Sequence, residues 1–268
     1  MEHSYCNIMR KKLTAPITYF VRTDGNNAND GLANTPASAF LTIQAAVDVI
    51  LRDLDTQGYD TTIRVADGVY SSGAVIQSPV QGGGIVSIIG NVTTPTNVVI
   101  NTATGSNAIT SYYHPTPIQV SGFKLNSPNA YGLLAAQNAR IQFSAINFGF
   151  SGTGGHILAT NSSIIQATGN YTVSGNASRH VDAQFISTVR VPSLTVTVSG
   201  TPAFSANFAD AYHISCVDYA GTTITGAATG QRYNATANSL IRTGAGTADA
   251  AYFPGSLAGS ANNGSVYQ

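Results

Sequence analysis

Asp182 and Asp210 head two related phrases, Asp-Ala-Gln-Phe-Ile and Asp-Ala-Tyr-His-Ile. If these occupy the same place in successive turns of a repeat, their carboxyl groups stack at about 5 Å. Carboxyls roughly 5 to 5.5 Å apart suit a retaining glycosidase, one as nucleophile and the other as acid, with mutual repulsion raising one pKa. The competing reading makes both of them exposed turn residues that bond nearby backbone amides. Arg179, His180, Tyr212 and His213 flank the pair and complete a polar cluster able to hold a sugar. Upstream, Tyr112-Tyr113-His114 lies between strand-like segments and is followed by Pro115 and Pro117. A flat ring with a polar tip stacks on a sugar face, and a loop extruded from a long repeat is where such binding concentrates. The expected catalytic residues are therefore Asp182 and Asp210, and the expected glycan-binding residues are Tyr112, Tyr113, His114, Arg179, His180 and Tyr212.

The rest of the chain limits what else is possible. Eight of the twelve acids precede residue 68, and none occurs from 68 to 181. Carboxylate chemistry in the later body must draw on Asp182, Asp210, Asp218 or Asp249. No set of His, Cys, Asp and Glu has metal-ligand spacing, and no cofactor motif is present. The glycine run Gly82-Gly83-Gly84 does not stand between a strand and a helix, so it does not cradle phosphate. Only 9% of residues are charged and the net charge is zero, which leaves no basic stripe for nucleic acid. No apolar run is long enough for a membrane span, and MEHSYCNIMRKK is not followed by the apolar stretch of a secretion signal. Cys6 and Cys216 are expected to be unpaired thiols.

Positioning such residues falls to a repeat. Short β-branched runs anchored on Ile63, Ile88, Ile118, Ile141, Ile164, Ile186 and Ile214 recur every 22 to 30 residues, separated by Gly, Asn and Ser turns. A β-sandwich also yields short strands at regular intervals, but one coil of a right-handed parallel β-helix consumes this length. Phe143 and Phe148 are expected inside. A parallel β-helix exposes an unpaired edge at each end, so its first coil needs a lid. The segment AFLTIQAAVDVILRDL places Phe40, Ile43, Ala46, Val47, Ile50 and Leu51 along one helical face and predicts a capping helix near 40–54.

The N-terminal stretch YFVRTDGNNANDGLANTPASAFLTIQAAVD, followed by IRVADGVYSSG, resembles pectin-lyase-like right-handed β-helix proteins, including phage tailspike and tail-fibre proteins. The resemblance rests on Asp24-Gly25, Asn29-Asp30-Gly31-Leu32, Pro36, Phe40, Thr42-Ile43-Gln44-Ala45-Ala46 and Asp67-Gly68-Val69-Tyr70. The Gly-rich C-terminal stretch AAYFPGSLAGSANNGSVYQ is similar to segments closing many phage fibre-like proteins. Pectate lyases of this fold use an Asp cluster for calcium, which the acid-free centre does not provide, so no metal is expected.

The resemblance implies an all-β chain divided into a leader (1–16), a capping strand, loop and helix (17–59), the parallel β-helix (60–225) and a Gly-rich tail with oligomer contacts (226–268). It further implies a virion receptor-binding protein, assembled in the host cytoplasm, that recognises a bacterial surface glycan. The partners would be that glycan, two further copies in a homotrimer and other virion proteins. A glycan depolymerase on the same scaffold and a structural fibre or decoration protein are the alternatives.

Overall fold

The computed structural model describes residues 10–244 and 249–268. It is a right-handed parallel β-helix in which every strand pair is parallel, so each coil satisfies its backbone groups on the coils above and below. Each coil crosses three faces in order. Face 1 carries strands such as Thr61–Val65 and the first half of Ile118–Asn126. Face 2 carries Val98–Asn101, Tyr171–Val173 and Thr195–Val198, and face 3 carries Ile109–Tyr112, Leu133–Ala136, Gly155–Ala159, Ala177–Gln184, Ala203–Tyr212 and Thr229–Thr236. Alternation along face 3 sends Ala135, Ala159, Ala183, Ala211 and Ala235 inward and fully buries them. Those small side chains leave room for the rings that fill the bore, among them Phe123, Phe143, Phe148, Phe204 and Phe208.

The lid forms where the sequence predicts one. The helix Ile43–Asp53 starts at Thr42, whose hydroxyl accepts from the Ala45 amide, and buries Ile43, Ala46, Val47 and Ile50. Face 3 begins at the edge strand Ala74–Ile76, which would otherwise leave its backbone unpaired. Gln44 from the helix closes that edge. Its Nε2 donates to the Val75 carbonyl at 3.2 Å and its Oε1 accepts from the Val75 amide at 2.7 Å.

Face 3 turns back to face 1 through two residues that take the left-handed conformation in coil after coil: Gln137-Asn138, Asn161-Ser162, Phe185-Ile186, His213-Ile214 and Ala237-Asn238. Buried Ala139 follows the first of these turns, and a buried serine follows each of the other four. Each serine hydroxyl accepts an amide of the preceding coil: Ser163 from Ala139, Ser187 from Ser163, Ser215 from Ser187, Ser239 from Ser215 and Ser265 from Ser239, at 2.9 to 3.2 Å.

This serine ladder corrects the expected register. Ile63, Ile88, Ile118 and Ile141 are fully buried as anticipated, but Ile164 is only partly buried, with Ile165 taking the core position. Ile186 and Ile214 are exposed at the turn, 66% and 64%. The repeat is locked on the serine that follows the turn, and isoleucine stands on either side of it without a fixed inward direction.

The coil also continues beyond residue 225. Thr229–Thr236 pairs with Ala203–Tyr212, Leu240–Arg242 with Cys216–Asp218, and Val266–Tyr267 with Leu240–Arg242. The described residues after 225 therefore extend the stack rather than forming a separate tail. Cys6 lies outside the described residues, and Cys216 is a half-buried free thiol.

Candidate functional site

Asp182 and Asp210 occupy the same register position on neighbouring strands of face 3 and point to its outer surface. They are mid-strand residues rather than turn residues, and both are buried, Asp182 completely and Asp210 to 5% exposure. Arg179 lies on the same surface, its Nε 2.6 Å from Asp210 Oδ2 and 3.9 Å from Asp182 Oδ2. Gln184 Nε2 donates to Asp182 Oδ2 at 2.8 Å, and Asn234 Nδ2 donates to Asp210 Oδ1 at 2.9 Å. Ser260 extends the row by donating to Asn234 Oδ1.

Gly155 matters for this cluster. It stands between Tyr131 and Arg179 in the ladder, and a Cβ there would lie 2.6 Å from Tyr131 Cε1. Without a side chain at 155, the Tyr131 ring lies across that coil and stands beside the carboxyl pair. Burial, and after it the charge of Asp210, pushes the Asp182 carboxyl up to about 6. Burial and the nearby Asp182 charge push the Tyr131 phenol up to about 12. The pair thus has the electrostatics of an acid beside a carboxylate, but Asp182 is sealed from solvent.

Two expected glycan-binding residues belong to the fold instead. His180 adjoins Arg179 and Asp182 in sequence, yet its ring is fully buried in the bore against Phe148, Tyr171, Phe204, Phe208 and His156. His156, one coil earlier, also faces the bore, and each histidine is followed by a second core residue, Ile157 or Val181, so simple alternation does not hold at this position of the coil. His114 is also buried. Its Nδ1 donates to the Thr116 carbonyl at 2.5 Å and its Nε2 accepts from the Val80 amide at 3.3 Å, so it secures two loop segments.

Tyr112, Tyr113 and Tyr212 remain on the surface. Tyr113 is 57% exposed and in the left-handed conformation, and its ring centroid is 6.3 Å from that of half-buried Tyr112. From Tyr113 a shallow groove of about 470 Å³ crosses the turns at Gln137-Asn138 and Asn161-Ser162 and ends at Phe185-Ile186. The two rings stand three coils apart, about 14 Å at the usual strand spacing. Between them lie exposed amides and one hydroxyl, with no charged side chain lining the groove. Beyond Phe185, Tyr212 stacks on His213 with centroids 3.5 Å apart, and Phe185 meets His213 at 4.7 Å.

Phe185, Ile186 and Ile214 were not anticipated as surface residues. Their signal was the polar pair preceding serine in the neighbouring turns, Asn-Ser-Ser and Ala-Asn-Ser, which aligns Phe-Ile-Ser and His-Ile-Ser with turns rather than strands. Among the described residues, no group of His, Cys, Asp and Glu is arranged to hold a metal ion, and no helix is long and apolar enough to cross a membrane.

No protein-family model matches the chain, and no curated protein matches it either. Among solved structures, the crystal structure of Escherichia coli YbhC is similar at 13% identity and a TM-score of 0.51, over 87% of this chain and 74% of that one. At that identity the likeness is one of fold, a parallel β-helix.

Proposed function

We propose that the protein recognises a bacterial surface polysaccharide without cutting it, in the manner of a phage tailspike or tail-fibre receptor-binding protein. The observation that carries this reading is the groove from Tyr113 to Phe185. Two exposed rings flank a run of amides on a rigid stack of coils, which offers stacking surfaces for sugar faces and hydrogen-bonding groups for ring hydroxyls. Ile186 and Ile214 support it. A β-branched residue at φ +63° or +60° is strained, and here the strained residues present apolar surface to solvent.

The phage setting, the virion partners and three-fold assembly rest on the resemblance of residues 19–73 and of the C-terminal stretch to fibre proteins. Glycan-array binding with the intact chain tests recognition, and replacing Tyr113 and Phe185 by Ala should weaken it by about 1 to 2 kcal/mol through lost stacking. Binding that is absent in the wild type, or indifferent to both replacements, defeats the proposal. Light scattering tests assembly: a mass near the 27.7 kDa of one chain excludes a trimer.

One observation favours a depolymerase instead, namely a carboxyl held up to about 6 beside a second carboxylate one coil away. Against it, neither Asp182 nor Asp210 can meet a substrate until Arg179, Gln184 and Tyr131 move aside. New reducing ends released from polysaccharide by the wild type, and lost in both Asp182→Asn and Asp210→Asn, would favour cleavage over recognition.

A further inference from the structure

A cavity of about 560 Å³ opens on the outer surface of face 3, on the first coils beside the capping helix. It is within the size range of small-molecule sites. Tyr112 forms one wall, Val75 lies on the edge strand with Gln77 just after it, Ser72 and Ser106 come from the loops, and Thr110 forms the floor. Thr110 is 1% exposed and its hydroxyl has no hydrogen-bond partner. An unpaired buried hydroxyl costs on the order of 1 to 3 kcal/mol, a cost that a ligand hydroxyl reaching it would remove. The side chains of Ser72, Gln77 and Ser106 likewise make no hydrogen bond among the described residues, so the cavity presents several free donors and acceptors around one aromatic wall.

The lining contains no charged side chain. An anionic group entering this recess would lose hydration without gaining a cationic partner, whereas a hydroxylated neutral ring would exchange water for the free amide and hydroxyls. Tyr112 also links the cavity to the groove described above, because its neighbour Tyr113 starts that groove. We infer that the cavity is a subsite for one neutral sugar ring, and that the polysaccharide followed by the groove is built from, or ends in, uncharged hexoses rather than uronic or sialic acids. The inference rests on the glycan-binding reading and specifies its ligand.

The test uses the intact chain and single sugars, which the cavity can hold without the groove. Methyl glucoside, methyl galactoside and methyl mannoside are titrated beside methyl glucuronide, with saturation-transfer NMR as the readout. At least one neutral glycoside should bind in the millimolar range, and the glucuronide at least about tenfold more weakly. Tyr112→Ala and Thr110→Val should each reduce neutral-sugar binding by about tenfold. Thr110→Val should melt no lower than wild type, since it removes an unsatisfied hydroxyl, and this separates a binding role from a structural one.

The inference is overturned if no neutral glycoside binds, if the glucuronide binds equally well, or if neither Tyr112→Ala nor Thr110→Val has an effect. Single-sugar binding that responds to Tyr112 and Thr110 in a protein that binds no polysaccharide would retain the subsite and remove the broader reading. Polysaccharide binding that responds only to Tyr113 and Phe185 would do the reverse.

Discussion

His156 and His180 face each other in the bore of the β-helix with their Nδ1 atoms 3.1 Å apart. Their protons follow from the partners at the far ends. His156 Nε2 lies 2.8 Å from the Gly149 carbonyl, which only accepts, so the proton is on Nε2 and His156 Nδ1 is bare. His180 Nδ1 must then donate, and its Nε2 accepts from the Tyr171 hydroxyl at 3.0 Å, which in turn accepts from Tyr219 at 2.9 Å. Both rings are neutral, and the chain has no place for an added proton.

The first prediction concerns acid. Burial lowers the His156 pKa to about 4, and burial together with the neighbouring imidazole lowers that of His180 well below its ordinary value. Between pH 6.5 and 4 the unfolded chain therefore binds protons that the native chain refuses, so stability falls as pH falls through that window. The melting temperature should drop steeply below pH 6.5, and the double variant His156→Phe/His180→Phe should flatten the decline. An equally steep profile in the double variant would place acid sensitivity elsewhere.

The two aspartates of face 3 should respond oppositely to amide replacement. Asp182 has its pKa raised to about 6, so in the pH range from its unfolded value to 6 the native chain holds a proton the unfolded chain releases, and stability is lost as pH rises through that range. Asp182→Asn should therefore stabilise the fold at pH 7 by about 2 kcal/mol and have little effect at pH 4. Asp210→Asn removes the partner of Arg179 at 2.6 Å and should cost about 1 to 2 kcal/mol at pH 7, discounted for the exposed part of the guanidinium. Urea unfolding at both pH values checks the pair, and equal signs at pH 7 would contradict this electrostatic account.

Register gives a sharper pair. Ile141 and Ile165 are fully buried and stack directly, so Asp at either should abolish folding through an unpaired charge in the core. Ile164, on the outer side, should accept Asp with a loss of no more than about 1 kcal/mol. Circular dichroism melts of the three variants distinguish the positions, and a folded Ile165→Asp protein would refute the register.

At the turns, stability and recognition should trade against each other. Ile186→Asn places a residue that tolerates the left-handed conformation where a β-branched one stands, and should stabilise by about 1 kcal/mol. The same change removes apolar surface from the groove and should weaken polysaccharide binding. A variant that gains stability and keeps full affinity would leave the strain at Ile186 without a binding role.

Repeat length and strand alternation are properties of neighbouring residues, which is why the parallel β-helix, the capping helix over Ile43–Asp53 and the buried Phe143 and Phe148 were legible in the chain itself. The shared phrase around Asp182 and Asp210 likewise showed that the two carboxyls stand one coil apart. Which way a side chain points depends on where the chain bends, and the bends are held by contacts between coils. The serine ladder, each hydroxyl bonded to an amide about 24 to 28 residues away, moved Ile186 and Ile214 to the surface and Ile165 to the core. At one point of the coil two successive residues turn inward, His156 with Ile157 and His180 with Val181, while Arg179 stays outside on Asp210. The groove from Tyr113 to Phe185 and the cavity over Thr110 draw residues from several coils, so only the stacking of those coils brings them together.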